Sequence, residues 1–147
     1  MRLIFLVFLF SFSLWGGKLN WASSYEKAQQ QALKENKGIL AIITKKSCRW
    51  CRKLEETTLQ DDAVIARIHS KFVPVHLTRY HDEYPSSLMA KSVPMNYFLF
   101  SDGTPIMRGV MGYWSAEDYL SIMDDVDRYI RKYEKKNKEQ KMKEVKK

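Results

Sequence analysis

The sequence around Cys48 and Cys51 constrains the local fold more than any other part of the chain. These two residues, the only cysteines present, are separated by two residues and follow an apolar run at residues 39–43. Five consecutive apolar residues predict a buried strand, whereas the residues from Cys51 onward follow a helical pattern. We therefore expect the pair at a turn from a strand into a helix.

Thiols at that position have a defined chemistry. Unpaired backbone N–H groups and the positive end of the helix dipole favour a thiolate, the form that attacks disulfides. We expect Cys48, which precedes the helix, to be partly exposed and to act as the nucleophile. Cys51, one turn into the helix, should be shielded and should displace the reduced substrate from a mixed disulfide on Cys48. The cofactor is then the redox-active disulfide itself, and none other is expected.

The N-terminus predicts an export signal. Met1 and Arg2 give a charged start to an apolar stretch of 13 residues, 3–15. That stretch is shorter than the ~20 residues needed to cross a bilayer comfortably. The cleavage site is poorly marked, so we interpret residues 1–20 as a signal peptide or as an uncleaved signal anchor that attaches the protein to a membrane. Export would place the protein in the periplasm if its source is a Gram-negative bacterium.

The remaining residues, about 125, suffice for one domain with one core, assigned to residues 21–130. The formal charge of +8 is uneven, because residues 131–147 carry nine Lys and Arg against three Glu, a net +6. We interpret this segment as a basic tail that is frayed or disordered. It lacks the interleaved aromatic residues that stack on bases, so nucleic acid is not an expected partner.

Cap residues mark where the first helices begin and end. Ser23 or Ser24 can cap a helix that runs to about Asn36, with Gly38 ending it. Asp61 can cap a second, short helix. The cap residues therefore predict where both helices begin, and Gly38 predicts where the first one ends.

The strands alternate with those helices. One is predicted at residues 39–44 and another at residues 72–77, which include Pro74. Proline cannot donate a hydrogen bond to a ladder, so this second strand should lie at a sheet edge. A short helical piece is expected around residues 87–91.

The C-terminal part predicts a hairpin and a last helix. Residues 97–100 and 105–109 should pair across a turn at Asp102 and Gly103, and Ser115 should cap the helix. A β-α-β half is thus joined to a β-β-α half, which gives an α/β fold.

At this point the chain resembles the thioredoxin superfamily, and within it the exported thioredoxin-like proteins with a Cys-x-x-Cys motif. The resemblance covers about residues 21–129 and implies a thioredoxin fold, in which helices flank a central mixed four-stranded sheet. The matching residues are Trp21 with Tyr25, Cys48-Arg-Trp-Cys51, Val93-Pro94, Asp102-Gly103 and Gly112-Tyr113.

The resemblance also implies a substrate site. Pro94 is expected to be a cis proline facing the cysteines, and the backbone of Val93 is expected to pair with a substrate peptide as an added strand. The alternative is a trans proline that merely starts a strand. Trp50 could offer an apolar contact to protein or peptide substrates, or pack against its own loop.

Two positions differ from cytosolic thioredoxin. This chain has Ser47 in place of a tryptophan, and Ile42 in place of a buried acid that serves there as proton acceptor for the second cysteine. Deprotonation of Cys51 must then rely on water or another group. Glu55 and Glu56 are candidates, but we expect both to face solvent.

The direction of exchange depends on the charges near the motif. We expect Arg49 and Arg52 to stabilise the thiolate, together with Lys45, Lys46 and Lys53, and so to make the protein more oxidising than its fold alone implies. Simple surface solubility is the alternative for these charges. We expect reduction of substrate disulfides, with a membrane thiol-transfer protein as electron donor. Disulfide oxidation or isomerisation is the rival.

Three other readings stay open from the sequence. Cys48 and Cys51 with His76 and His81 have ligand types and local spacings acceptable for a structural zinc site, although we expect no metal. The disulfide could be structural, but so short a loop stabilises little. The domain could also be a non-enzymatic module that holds peptides at Val93.

Overall fold

A mixed four-stranded sheet lies at the centre of the fold. The computed structural model describes residues 17–145, so the predicted signal at residues 1–20 lies outside the described residues except for its last four. Across the described part of the chain, no helix combines the length and apolar character needed to cross a membrane. The elements in chain order are α1 (Tyr25–Glu35), β1 (Gly38–Thr44), α2 (Arg49–Glu56), α3 (Asp62–Lys71), β2 (Phe72–Thr78), β3 (Met95–Leu99), β4 (Val110–Met111) and α4 (Ala116–Val145).

The strand order β2-β1-β3-β4 confirms the predicted fold class. β1 pairs in parallel with β2 and antiparallel with β3, and β3 pairs antiparallel with β4. Pro74 is in β2 at the edge, as its missing N–H predicts. Its carbonyl accepts a hydrogen bond of 2.9 Å from the N–H of Ala22, so the segment before α1 covers part of that edge.

Two apolar cores lie on the two faces of the sheet because side chains alternate along β1. Leu40 and Ile42 join the core packed by α2, α3 and α4. Ile39, Ala41 and Ile43 join the core packed by α1. β1 is therefore buried on both faces, as a continuous apolar run predicts for a central strand.

Most caps occur where the sequence places them. Ser24 accepts a hydrogen bond from the Lys27 N–H, and Asp61 accepts from the first turn of α3. The end of α1 differs from the prediction, since Asn36 adopts the left-handed conformation (φ 54°) and Gly38 is already the first residue of β1. Gly38 is needed there for space, because a Cβ would lie 2.6 Å from the Leu99 carbonyl oxygen.

The hairpin is also less regular than predicted. Its second strand is Val110–Met111 rather than residues 105–109, where Pro105 forms only an isolated bridge with Leu99. At this bridge the N–H groups of Phe100 and Ile106 donate to the carbonyls of Thr104 and Phe98, so the missing N–H of Pro105 is not needed there. The helical piece expected at residues 87–91 is a single 3₁₀ turn at Ser86–Leu88.

The last helix is longer than predicted. Ser115 caps α4 as expected, since its Oγ accepts from the Asp118 N–H at 3.2 Å. The helix then continues to Val145, whereas the segment from residue 131 was expected to be frayed or disordered. Residues 131–145 contain neither glycine nor proline, and Tyr133 stacks on Phe100 with ring centroids 4.6 Å apart. Good helix formers and this contact favour continuation.

An ion-pair network joins α3 to α4. Arg67 donates to Asp124 and Asp127 at 2.6 Å each, and Lys71 donates to Asp127 at 2.7 Å. Burial alone would raise the pKa of Asp127, but the hydrogen bonds from Lys71 and Arg67 outweigh it and hold that pKa below its ordinary value. Ionised Asp127 therefore contributes stability above pH ~4, and the contribution is lost as pH falls through the lowered pKa.

We expect Asp127→Asn to lower the free energy of unfolding at pH 7 by about 1–3 kcal/mol, because it weakens two charge-assisted hydrogen bonds. Denaturant titrations at pH 7 and at the lowest pH where the protein stays folded measure the loss, which should shrink in acid. Asp125→Asn is the matched control, since exposed Asp125 pairs with Arg128 at the surface and should cost at most about 0.5 kcal/mol. Equal losses in both variants would contradict this account.

Candidate active site

The two cysteines lie at the start of α2 and form a disulfide, with an S–S distance of 2.13 Å. Cys48 is the N-cap residue, and its Sγ accepts a hydrogen bond of 3.2 Å from the Cys51 N–H. Cys48 is half-buried, whereas Cys51 is 2% exposed. The predicted position and the predicted difference in exposure are both confirmed, and a Cys48 thiolate would receive the backbone donor of the first helical turn.

A second loop lies against this pair. The Cys48 Sγ is 3.9 Å from the Val93 carbonyl oxygen, and the Val93–Pro94 peptide bond is cis. The carbonyl of Pro94 accepts a hydrogen bond of 2.8 Å from the Gly112 N–H, which ties this loop to the end of the hairpin. The structure therefore brings together Cys48, Val93 and Pro94, which are far apart in the sequence.

Arg79 fixes the backbone that leads into that loop, a role that was not predicted from the sequence. Its Nη1 donates to the carbonyls of Ala90 (3.1 Å) and Lys91 (2.8 Å), which precede Val93 by three and two residues. The residues between β2 and β3 are thereby fixed at both ends. A lone arginine after a strand gives no sequence signal for this role, because its partners are backbone carbonyls.

Trp50 both packs and remains accessible. Its ring stacks on Tyr113, with centroids 6.0 Å apart, and the side chain keeps 47% of its surface exposed. The Lys53 ammonium lies 4.4 Å from the Tyr113 centroid, and the Arg49 guanidinium lies 5.0 Å from the Trp50 centroid. An aromatic pair with cations on its rings therefore stands beside the disulfide.

An open cavity of about 710 Å³ lies on the other side of the disulfide. Four lining residues are basic, namely Lys45, Lys46, Arg49 and Arg52, and two are acidic, Glu55 and Glu56; His76 also lines the cavity. Arg49 and Arg52, expected to stabilise the thiolate, are thus placed around Cys48. Their charges would act on it through a solvent-filled space in which screening is effective beyond ~8–10 Å.

Ile42 is apolar, and the polar side chains near it come from neighbouring elements. Ile42 is fully buried, and its partner in the parallel ladder is His76. The His76 Nε2 lies 3.0 Å from the Thr44 hydroxyl and 3.0 Å from the Glu55 carboxylate. The expectation that Glu55 faces solvent holds only in part: its side chain is 40% exposed, but its carboxylate contacts His76, and Glu55 shares the face of α2 that carries Cys51, one helical turn earlier. Glu56 is exposed, as expected.

The proposed zinc ligands do not assemble in the structure. His76 is bonded to Glu55 and Thr44, whereas His81 pairs with Asp82 and has a 73% exposed side chain. Within residues 17–145, no group of three or more His, Cys, Asp or Glu is arranged to hold a metal ion.

We expect the reduced protein to be alkylated at Cys48 at least about tenfold faster than at Cys51, because Cys48 is accessible and favoured as a thiolate. Mass spectrometry of peptides after brief iodoacetamide treatment at pH 7 measures the ratio. The unfolded protein is the control, where both thiols should react alike. Equal labelling in the folded protein would contradict the assigned nucleophile.

Comparisons with known proteins agree with this geometry. A family model described as a thioredoxin-like domain matches residues 25–127. Anterior gradient protein 3 of Xenopus tropicalis is 23% identical over 113 residues, covering 76% of this chain and 68% of that protein. Spermatogenesis-associated protein 20 of Homo sapiens is 28% identical over 112 residues, which cover 70% of this chain but 14% of that much longer protein.

Solved structures show the same fold at low identity. The DsbH oxidoreductase superposes with a TM-score of 0.60 at 17% identity, covering 75% of this chain and 85% of that one. The oxidised C-terminal domain of Neisseria meningitidis DsbD gives 0.57 at 17% identity, covering 68% and 90%. The family model spans most of the chain, and the sheet order and Cys-x-x-Cys disulfide are those of its fold, so this protein belongs to the thioredoxin-like family of the thioredoxin superfamily.

Proposed function

We propose that the protein is an exported thiol-disulfide oxidoreductase that reduces disulfides of periplasmic proteins. One observation carries the proposal: a half-buried Cys48 caps α2 beside the Val93 carbonyl, and its disulfide partner Cys51 is buried one turn inside. A purely structural disulfide would need neither the difference in exposure between Cys48 and Cys51 nor a backbone carbonyl beside the exposed sulfur. The fold and the motif support oxidoreductase chemistry in general, and the reducing direction is the finer part of the proposal.

The proposed reaction exchanges one disulfide for another. The reduced Cys48 thiolate attacks a substrate disulfide, forms a mixed disulfide and releases the first substrate sulfur as a thiolate, which takes a proton from solvent. Cys51 then loses its proton and attacks the Cys48 sulfur. The second substrate thiolate leaves, and the Cys48–Cys51 disulfide forms. Two electrons pass from the protein to the substrate, and no cofactor beyond this dithiol is needed.

Val93, Pro94 and Trp50 form the proposed substrate contact. The carbonyl of Val93 faces the reactive sulfur, and an extended peptide beside it can pair with backbone, which demands little of the substrate sequence. Trp50, half-exposed on Tyr113, offers an apolar surface at the rim. A non-enzymatic peptide module could use the same edge, but it would not require the dithiol.

Each reduction leaves the protein oxidised, so a donor must return two electrons. We propose a membrane thiol-transfer protein as that donor, because the predicted export signal would separate the protein from cytosolic reductants. An uncleaved signal would keep both on the same membrane. The named oxidoreductase among the structural neighbours supports exchange chemistry without fixing its direction.

We expect the wild-type protein to reduce insulin disulfides in the presence of dithiothreitol, and Cys48→Ser to abolish the increase over dithiothreitol alone. Turbidity of the released insulin chains follows the reaction. Cys51→Ser is the matched variant: when it is reduced, freed of dithiothreitol and mixed with insulin, it should accumulate a mixed disulfide on Cys48, visible by mass spectrometry. A Cys48→Ser protein as active as wild type would end the proposal.

Removing Arg49 or Arg52 should make the protein more reducing. Without the positive charge the thiolate is less favoured, so Arg49→Gln and Arg52→Gln should each lower the reduction potential by about 5–20 mV, given ~30 mV for each 1.4 kcal/mol. Equilibration with glutathione measures the potential. Lys143→Gln, at the far end of α4, removes the same charge and should change nothing. An unchanged potential in Arg49→Gln and Arg52→Gln would show that the basic cluster serves solubility.

A further inference from the structure

The resolving step needs a group that takes the proton from Cys51. This thiol is 2% exposed, and it must ionise before it can attack the mixed disulfide. Burial in apolar surroundings opposes ionisation. Ile42, fully buried in the adjacent strand, has no atom that accepts a proton. The acceptor is therefore either water or a group on another element.

Glu55 lies on the same face of α2 as Cys51. Residues four apart on a helix have Cβ atoms ~5–6 Å apart, a separation that one water molecule can bridge. Both residues line the cavity beside the disulfide. The Glu55 side chain is 40% exposed, so the carboxylate lies between the buried thiol and solvent.

His76 completes the arrangement from β2. It is the ladder partner of Ile42, which places it beside the apolar position on the same sheet face. Its Nε2 lies 3.0 Å from Glu55 and 3.0 Å from Thr44, and the ring of Trp21 packs against it edge-on at 5.8 Å. The imidazole is therefore held in place by contacts from three directions.

We propose that Glu55 and His76 together accept the Cys51 proton during resolution of the mixed disulfide, replacing the missing acid at position 42 with a pair from two other elements. The inference rests on the proposed function, since it assigns the proton path of that reaction. Glu55 takes the proton through bridging water, and His76, bonded to the carboxylate, stabilises it and passes protons toward the open cavity. The same pair returns a proton to Cys51 when the disulfide is reduced again.

The charges around this pair favour release of the proton. Lys45, Lys46, Arg49 and Arg52 face the same cavity, and Glu56 is the other carboxylate there. Trp21 and Gln60, which line the cavity on the far side of His76, carry no charge. Glu55 is thus the carboxylate that contacts His76 within this mainly cationic set of charges.

A two-phase release of a chromogenic thiol tests the assignment. Reduced protein is mixed in a stopped-flow instrument with excess of a symmetric aromatic disulfide. Attack by Cys48 releases the first equivalent of probe thiol in a concentration-dependent phase. Attack by Cys51 on the mixed disulfide releases the second equivalent at a rate independent of probe concentration. Cys51→Ser should release the first equivalent alone.

Glu55→Gln and His76→Gln should slow the second phase at pH 7 by about tenfold or more, toward the ~10²-fold that general bases typically contribute. The first phase should stay within about twofold of wild type. The difference should shrink as the pH is raised above 7, because hydroxide from solvent increasingly takes the proton that the pair otherwise accepts. Glu56→Gln removes the same charge from the same cavity and should leave both phases unchanged.

The assignment is overturned if either glutamine variant resolves at the wild-type rate, if the slowing is the same at every pH, or if Glu56→Gln slows resolution equally. A purely structural role would alter both phases at all pH values. Because the probe is a small disulfide, this test is independent of protein substrates. A protein that fails to reduce insulin but shows the expected pH dependence would lose the proposed function and keep the acceptor pair.

Discussion

The passage of the chain from β1 into α2 is the constraint on which the site depends. β1 is buried on both faces, so its end is fixed relative to the sheet, and Ser47 turns the backbone through the left-handed region (φ 58°) directly before Cys48. Such a conformation costs free energy for a non-glycine residue and persists where surrounding structure enforces it. The helix therefore begins at Cys48, and its first turn aims a backbone donor at the sulfur.

From that junction the opposed environments of the two sulfurs follow. Cys48 lies at the N-terminus of α2, and Cys51 lies one turn further on, on the buried face of the helix. The two identical side chains therefore differ in their exposure to solvent. The Val93 loop, tied through Arg79 and Gly112, adds a backbone edge beside the accessible sulfur. The surroundings of the accessible sulfur thus depend on neighbouring elements as well as on the motif.

Much of this architecture was predictable because its signals are local. The local signals are the apolar run of β1, the caps Ser24, Asp61 and Ser115, and the edge-strand Pro74, each of which acts through the residue itself and its immediate backbone. Errors arose where distant contacts decide the outcome. The second strand of the hairpin forms at Val110–Met111, and Tyr133 packs against Phe100 at the point where a frayed tail was expected.

The sequence by itself determined that two thiols would start a helix after a buried strand, because spacing and apolar pattern act along the chain. It also determined that the side chain at position 42, an isoleucine, could not accept a proton. Only the tertiary structure decided what occupies that role, since Glu55 in α2 and His76 in β2 lie 21 residues apart and meet through a contact between the two elements. Contacts between elements depend on how the helices pack on the sheet, and no local sequence pattern predicts the contact between these two side chains.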